Sequence, residues 1–146
     1  GTNDDQGNNN DDRPTLSVSD ETVTEGTDGY IEFTVSLSNP SDETVVFTPT
    51  LQDGSGTVGT DTGTTAQLEY YDGSNWLPVP AAGVEISAGQ TSVKIRTELV
   101  DDYLDESDET ITLQADVTSG TVTNTTPAVG TATIQDNDAP TEFSVG

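Results

Sequence analysis

Residues Tyr30–Ser38 read YIEFTVSLS, and their alternation decides the fold. Ile31, Phe33, Val35 and Leu37 fall on one side, and Glu32, Thr34, Ser36 and Ser38 on the other. A repeat of two is the mark of a strand with one face buried and one wet. Working outward, TVVFTPTLQ (44–52) is a second strand in which Pro49 marks an edge or a bulge. AQLEYYDGSNWLPV (66–79) is a hairpin whose arms flank DGSN, residues suited to a tight turn. GVEIS, SVKIRTELV, ETITLQADV and VGTATIQ follow, each alternating and each bounded by turn formers. Before Tyr30, TLSVSD and ETVTEG form one edge strand broken in two. No segment sustains a helical period, and the abundant Thr and Val favour strands. Roughly seven to nine short strands with frequent turns predict an all-β, two-sheet antiparallel sandwich of immunoglobulin-like kind.

The 146 residues suffice for one domain with its own core. Hydrophobic residues make up only 29%, so it is the strict alternation that argues for folding at all. Three basic residues, Arg13, Lys94 and Arg96, stand against 27 Asp plus Glu, a formal net charge of −24. Such a charge opposes binding to nucleic acid and to anionic membranes and attracts cations. No apolar run approaches the ~18 residues of a membrane span, and no targeting signal opens the chain. Cys, Met and His are absent, which excludes disulfides, soft-metal sites and His- or Cys-based catalytic triads. The lack of Cys favours a bacterial or intracellular origin.

Residues 1–13, GTNDDQGNNNDDR, are polar and read as a linker or the edge of a preceding repeat. NDDRPTLSV (10–18) is echoed by DNDAPTEFSV (136–145), which sets Asp12 against Asp138, Pro14 against Pro140 and Thr15 against Thr141. The expected organisation is one repeat over 14–138, with 139–146 leading into the next, and with the two ends at opposite poles of the module.

VDDYLDESDET (100–110) holds six carboxylates, Asp101, Asp102, Asp105, Glu106, Asp108 and Glu109, and no basic residue. The segment joins two strands and so lies at one end of the sandwich. Glu25, Asp61 and the trio Asp136, Asn137 and Asp138 stand at other strand ends, and all four segments are expected at the same end. Two carboxylates ~5 Å apart repel by roughly 3 kcal/mol at an effective dielectric of ~20. A domain is stable by only ~5–15 kcal/mol. Protonation relieves one such pair but not a cluster at neutral pH, whereas divalent cations relieve all of it. The all-oxygen donor set suits Ca²⁺, which takes 6–8 oxygens in irregular geometry, better than octahedral Mg²⁺. The spacing is not that of an EF-hand.

TVTEG (22–26), GTVGTDTG (56–63), VDDYLDESDETITL (100–113) and ATIQDND (132–138) resemble, in this order, the motifs of Calx-β domains and of the related immunoglobulin-like repeats of large bacterial RTX-type adhesins. The resemblance implies a Calx-β-type sandwich with two or more Ca²⁺ ions at one end, near the junction with the next module. It further implies Glu25, Asp61, Asp101, Asp102, Glu106, Glu109, Asp136 and Asp138 as side-chain ligands, and Leu104 as a backbone carbonyl ligand. Asn137 stands where the family usually has an acid, which keeps an oxygen and loses a charge. Thr62 stands where an aromatic often follows the second motif's Asp. The hairpin LEYYDGSNWLPVP and the segment AGQTSVKIRTELVDD are more like the adhesin repeats than the exchanger domains.

The expected function is therefore a calcium-rigidified extender repeat of an extracellular, bacterial cell-surface adhesin, with neighbouring repeats of the same chain as partners. Two other readings stay open: a module that binds a sugar or a protein through the Trp76 hairpin with Tyr70 and Tyr71, and a Calx-β-type regulatory calcium sensor. Paired carboxylates alone give no evident substrate cleft, so no enzyme is expected. A solvated acidic surface would scatter its acids instead of setting them at strand ends. The Thr-rich strands suit solvent-facing positions, and Asn124 opens a formal glycosylation sequon, NTT.

Overall fold

The computed structural model describes residues 13–100 and 107–135. Ten strands form among them: β1 (Leu16–Val18), β2 (Glu21–Thr24), β3 (Tyr30–Leu37), β4 (Val45–Asp53), β5 (Glu69–Tyr71), β6 (Trp76–Pro78), β7 (Val84–Ile86), β8 (Ser92–Glu98), β9 (Glu109–Ser119) and β10 (Ala128–Gln135). One five-stranded sheet has the order β1-β3-β8-β5-β6 and the other β2-β10-β9-β4-β7. The alternation in YIEFTVSL becomes burial: Ile31, Phe33 and Val35 are inaccessible to solvent and Leu37 nearly so. They face Phe47, Leu51, Ile111, Leu113 and Ile134 of the opposite sheet and share the core with Ile95. Truncating Phe33 to Ala in such a core costs about 3–5 kcal/mol.

The broken first strand is two strands, one in each sheet, and this gives ten strands where seven to nine were expected. The Ser19 amide donates to the Thr34 carbonyl at 2.9 Å as the chain crosses between layers. Gly130 makes room for the crossing, since a Cβ there would collide with the Ser19 carbonyl oxygen. Having crossed, β2 runs parallel to β10, with Glu21 opposite Ala132 and Thr24 opposite Gln135. All other strand pairs are antiparallel.

Pro49 lies in β4 beyond the stretch paired with β7, which covers only Val45–Phe47. Two residues on, the Leu51 amide donates outward to Thr65 Oγ1 at 3.0 Å, so the Pro49 nitrogen faces the same unladdered side. The register shift in this strand lies between Val46 and Phe47, and Pro49 itself pairs in register with Ala115. The hairpin forms as β5 and β6, but its first arm is shorter than expected because Thr65–Gln67 is a 3-10 turn. In the DGSN turn, Asp72 Oδ1 accepts the Ser74 and Asn75 amides at 2.8 and 2.7 Å, and Gly73 takes φ +104°. These bonds hold the Asp72 carboxyl below its ordinary value, the Asn75 amide contributing most.

The sequon asparagine has a structural use. Asn124 Oδ1 accepts from the Leu16 amide at 2.8 Å and its Nδ2 donates to the Leu16 carbonyl at 3.0 Å, closing the outer edge of β1 like a short strand.

Candidate metal centre

Strand register fixes one end of the sandwich. Just past β2, Glu25 follows Thr24, and its amide donates to the Gln135 carbonyl at 3.0 Å. Beside it, Ile134 of β10 is opposite Glu109 of β9. Next across the sheet, Asp53 of β4 is opposite Ile111, and the loop after Asp53 keeps to β9. There the Ser55 amide donates to Thr110 Oγ1 at 3.2 Å, the Thr110 amide to Ser55 Oγ at 2.9 Å, and the Gly56 amide to the Thr110 carbonyl at 2.8 Å. That loop ends at Asp61, whose carbonyl accepts the Val100 amide at 2.9 Å. Thr62 bridges to Leu99, and the Leu99 amide reaches the Gly29 carbonyl at 3.0 Å, so the start of β3 and the end of β8 belong to this pole too.

Glu25, Asp61 and Glu109 are therefore brought to one end of the molecule. Val100 and Gln135, the last residues before the two remaining acidic segments, are at that same end. Asp101, Asp102, Leu104, Glu106, Asp136, Asn137 and Asp138 lie outside the described residues. Among the described residues, no group of three or more acidic side chains is arranged to hold a metal ion. Ligands from the other segments would be needed to complete a site.

The placed carboxylates are set for low solvent access. Glu25 is 2% and Asp61 7% exposed, unusual burial for acids in so acidic a chain. Oε1 of Glu25 and Oε1 of Glu109 are buried and accept no hydrogen bond, although both residues interact elsewhere. Burying a carboxylate is costly unless charge or hydrogen bonds compensate it. Asp61 has part of that compensation in the Thr57 amide, which donates to its Oδ2 at 2.8 Å.

Some organisers of this end escape a sequence reading. Asp53 Oδ1 accepts the Val58 amide at 2.8 Å, and Asp28 Oδ2 accepts the Thr24 amide at 2.8 Å. They shape the turns that carry Asp61 and Glu25. Their signal in the sequence is an Asp within a Gly-containing loop, common to many turns.

The aromatic hairpin is a separate feature on the outer face of the first sheet. Arg96 lies 3.8 Å from the Tyr30 ring centroid and 4.3 Å from that of Trp76, and its Nε donates to Glu69 Oε1 at 2.8 Å. Tyr71 packs on Trp76 at 5.1 Å between centroids. The Trp76 ring is thus engaged by its own chain. An open cleft of about 820 Å³ runs between the hairpin and β7, lined by Tyr70, Val84, Ile86 and Val93 among others.

The architecture is a Calx-β-type sandwich, as solved structures bear out. The chain is similar to the apo form of the Calx CBD1 domain at 20% identity, with a TM-score of 0.63, over 86% of this chain and 99% of that one. It is similar to CBD12 from CALX1.2 at 21% identity and TM-score 0.64, and to the calcium binding domain CBD12 of CALX1.1 at 20% identity and TM-score 0.63. These cover 85% and 90% of this chain but 46% and 51% of the solved chains, about half their length. At such identities the likeness is one of fold. No protein-family model and no curated protein matches the chain.

Proposed function

We propose that the acidic end binds Ca²⁺, two or more ions, and that the chain is a calcium-rigidified extender repeat of an extracellular bacterial surface adhesin. The observation that carries the reading is the convergence of buried Glu25 and Asp61 with Glu109 at the pole from which both remaining acidic segments depart. The donor set fits a hard cation, being oxygen throughout. Glu25, Asp61 and Glu109 would supply carboxylates, and 101–106 and 136–138 the rest. Bound Ca²⁺ supplies positive charge and tolerates irregular oxygen geometry; the chain's own part is to hold the carboxylates together in a dry corner. The likeness to domains described as calcium binding adds weight.

The extender role is supported by direction. Pro14 accepts the Thr123 amide beside the β9–β10 turn, while Gln135 lies at the acidic pole, so the described chain enters at one end and leaves at the other. Modules joined this way string out in a line. With Kd ~10⁻⁴ M, as for extracellular modules, and ~10 mM Ca²⁺, each site adds roughly 2.7 kcal/mol. A regulatory sensor would need far tighter sites. The sugar-binding reading loses support because Arg96 and Tyr71 already pack on Trp76.

Limited proteolysis and small-angle scattering of two fused copies test the role. In Ca²⁺ the fusion should be extended and protease-resistant, and in EDTA bent and readily cut. Equal rigidity and resistance in both buffers would contradict it.

A further inference from the structure

We infer that Gly56 and the Ser55–Thr110 clamp are positioning residues, setting the spacing between Asp61 and Glu109 and hence the cation affinity of this end. The inference rests on the calcium reading above. A Cβ built on Gly56 would lie 3.3 Å from Asp61 Oδ2, 3.3 Å from Glu109 Cβ and 3.2 Å from the Thr110 carbonyl oxygen. The bare backbone of Gly56 therefore adjoins both acidic residues, and Asp61 Oδ2 and Glu109 Cβ are within about twice that distance of each other. Three bonds hold it there: the reciprocal pair between Ser55 and Thr110, and the Gly56 amide on the Thr110 carbonyl. Thr110 directly follows Glu109, and Asp61 caps its own loop through the Thr57 amide. One clamp thus ties the loop carrying one acid to the strand carrying the other.

A methyl at 56 meets contacts tighter than side chains ordinarily make, so the acids must yield by a few tenths of an ångström. Gly56 has no left-handed φ, so alanine fits the backbone. The fold should survive while the spacing changes. Groups behind metal ligands commonly alter affinity by about 10- to 100-fold.

The test compares wild type, Gly56→Ala, Thr110→Val and Thr110→Ser by calorimetric Ca²⁺ titration, with melting in EDTA as the measure of the fold itself. Gly56→Ala and Thr110→Val should bind Ca²⁺ at least about tenfold more weakly. Gly56→Ala should keep its melting point in EDTA, and Thr110→Ser, which retains the clamp hydroxyl, should bind like wild type. Wild-type affinity in both Gly56→Ala and Thr110→Val overturns the inference and leaves the calcium reading standing. No Ca²⁺ binding by wild type removes both.

Discussion

At the residue scale, the acidic pole makes an unusual demand of its carboxylates. Glu25 and Asp61 are nearly inaccessible and share one pole of the sandwich with Glu109. A neutral isostere should then relieve the fold when no ion is bound. Asp61→Asn and Glu25→Gln are expected to melt at or above wild type in EDTA and to gain less than wild type from Ca²⁺; scanning calorimetry in both buffers shows the crossing. Arg96 has the opposite character, since its ion pair and two ring contacts come from β3, β5 and β6. Arg96→Gln should cost about 1–2 kcal/mol and shift the emission of Trp76, the chain's only tryptophan. Asp72 gives a pH dependence whose sign is fixed. Its folded pKa lies below its ordinary value of 3.8, so its contribution is complete above that value and lost as pH falls through the lower folded one. An amide-shift titration of the hairpin should register this in wild type and lose it in Asp72→Ala.

At the scale of elements, the alternating strands were legible because burial on one face imposes a repeat of two that nothing else in the chain mimics. YIEFTVSL and ETITLQADV show it residue by residue. The crossing at Ser19 was not legible, since a broken edge strand reads the same whether its halves share a sheet or divide between two. What decides it is the glycine at 130, which lets the second sheet approach the Ser19 carbonyl. Gly130→Ala should cost about 1–3 kcal/mol by chemical denaturation, with the loss traced to the β1–β2 crossing by hydrogen exchange. Part of the hairpin arm was likewise missed: Gln67 Oε1 accepts the Thr64 amide in a T-x-x-Q capping arrangement that opens the 3-10 turn, and Thr65 Oγ1 accepts the Leu51 amide. Of the acids singled out for the candidate site, Glu25 and Glu109 were legible as residues at strand ends. The clamp was not, since Ser55 and Thr110 meet across 55 residues of sequence, and the turn-shaping Asp28 and Asp53 were not, since an Asp near a Gly marks many turns alike.

At the scale of the whole molecule, two facts stand together. The formal charge is −24, and Glu25, Asp61 and Glu109 gather at the pole opposite to where the described chain enters. On the function proposed, a cation bound at such a pole would neutralise repulsion and tie the end of β2, the β4 loop and β9 into one unit, which is what a rigid spacer needs. Long-range repulsion alone is screened within ~8–10 Å at ordinary ionic strength, so salt and calcium should act differently. The measurement that reaches this claim most directly is thermal unfolding in millimolar Ca²⁺, in Mg²⁺ and in EDTA at matched ionic strength. A cation-bound pole should show a large rise in melting temperature with Ca²⁺ that Mg²⁺ hardly reproduces. Three coincident curves would mean that the acids are a solvated surface and that calcium does not hold this end together.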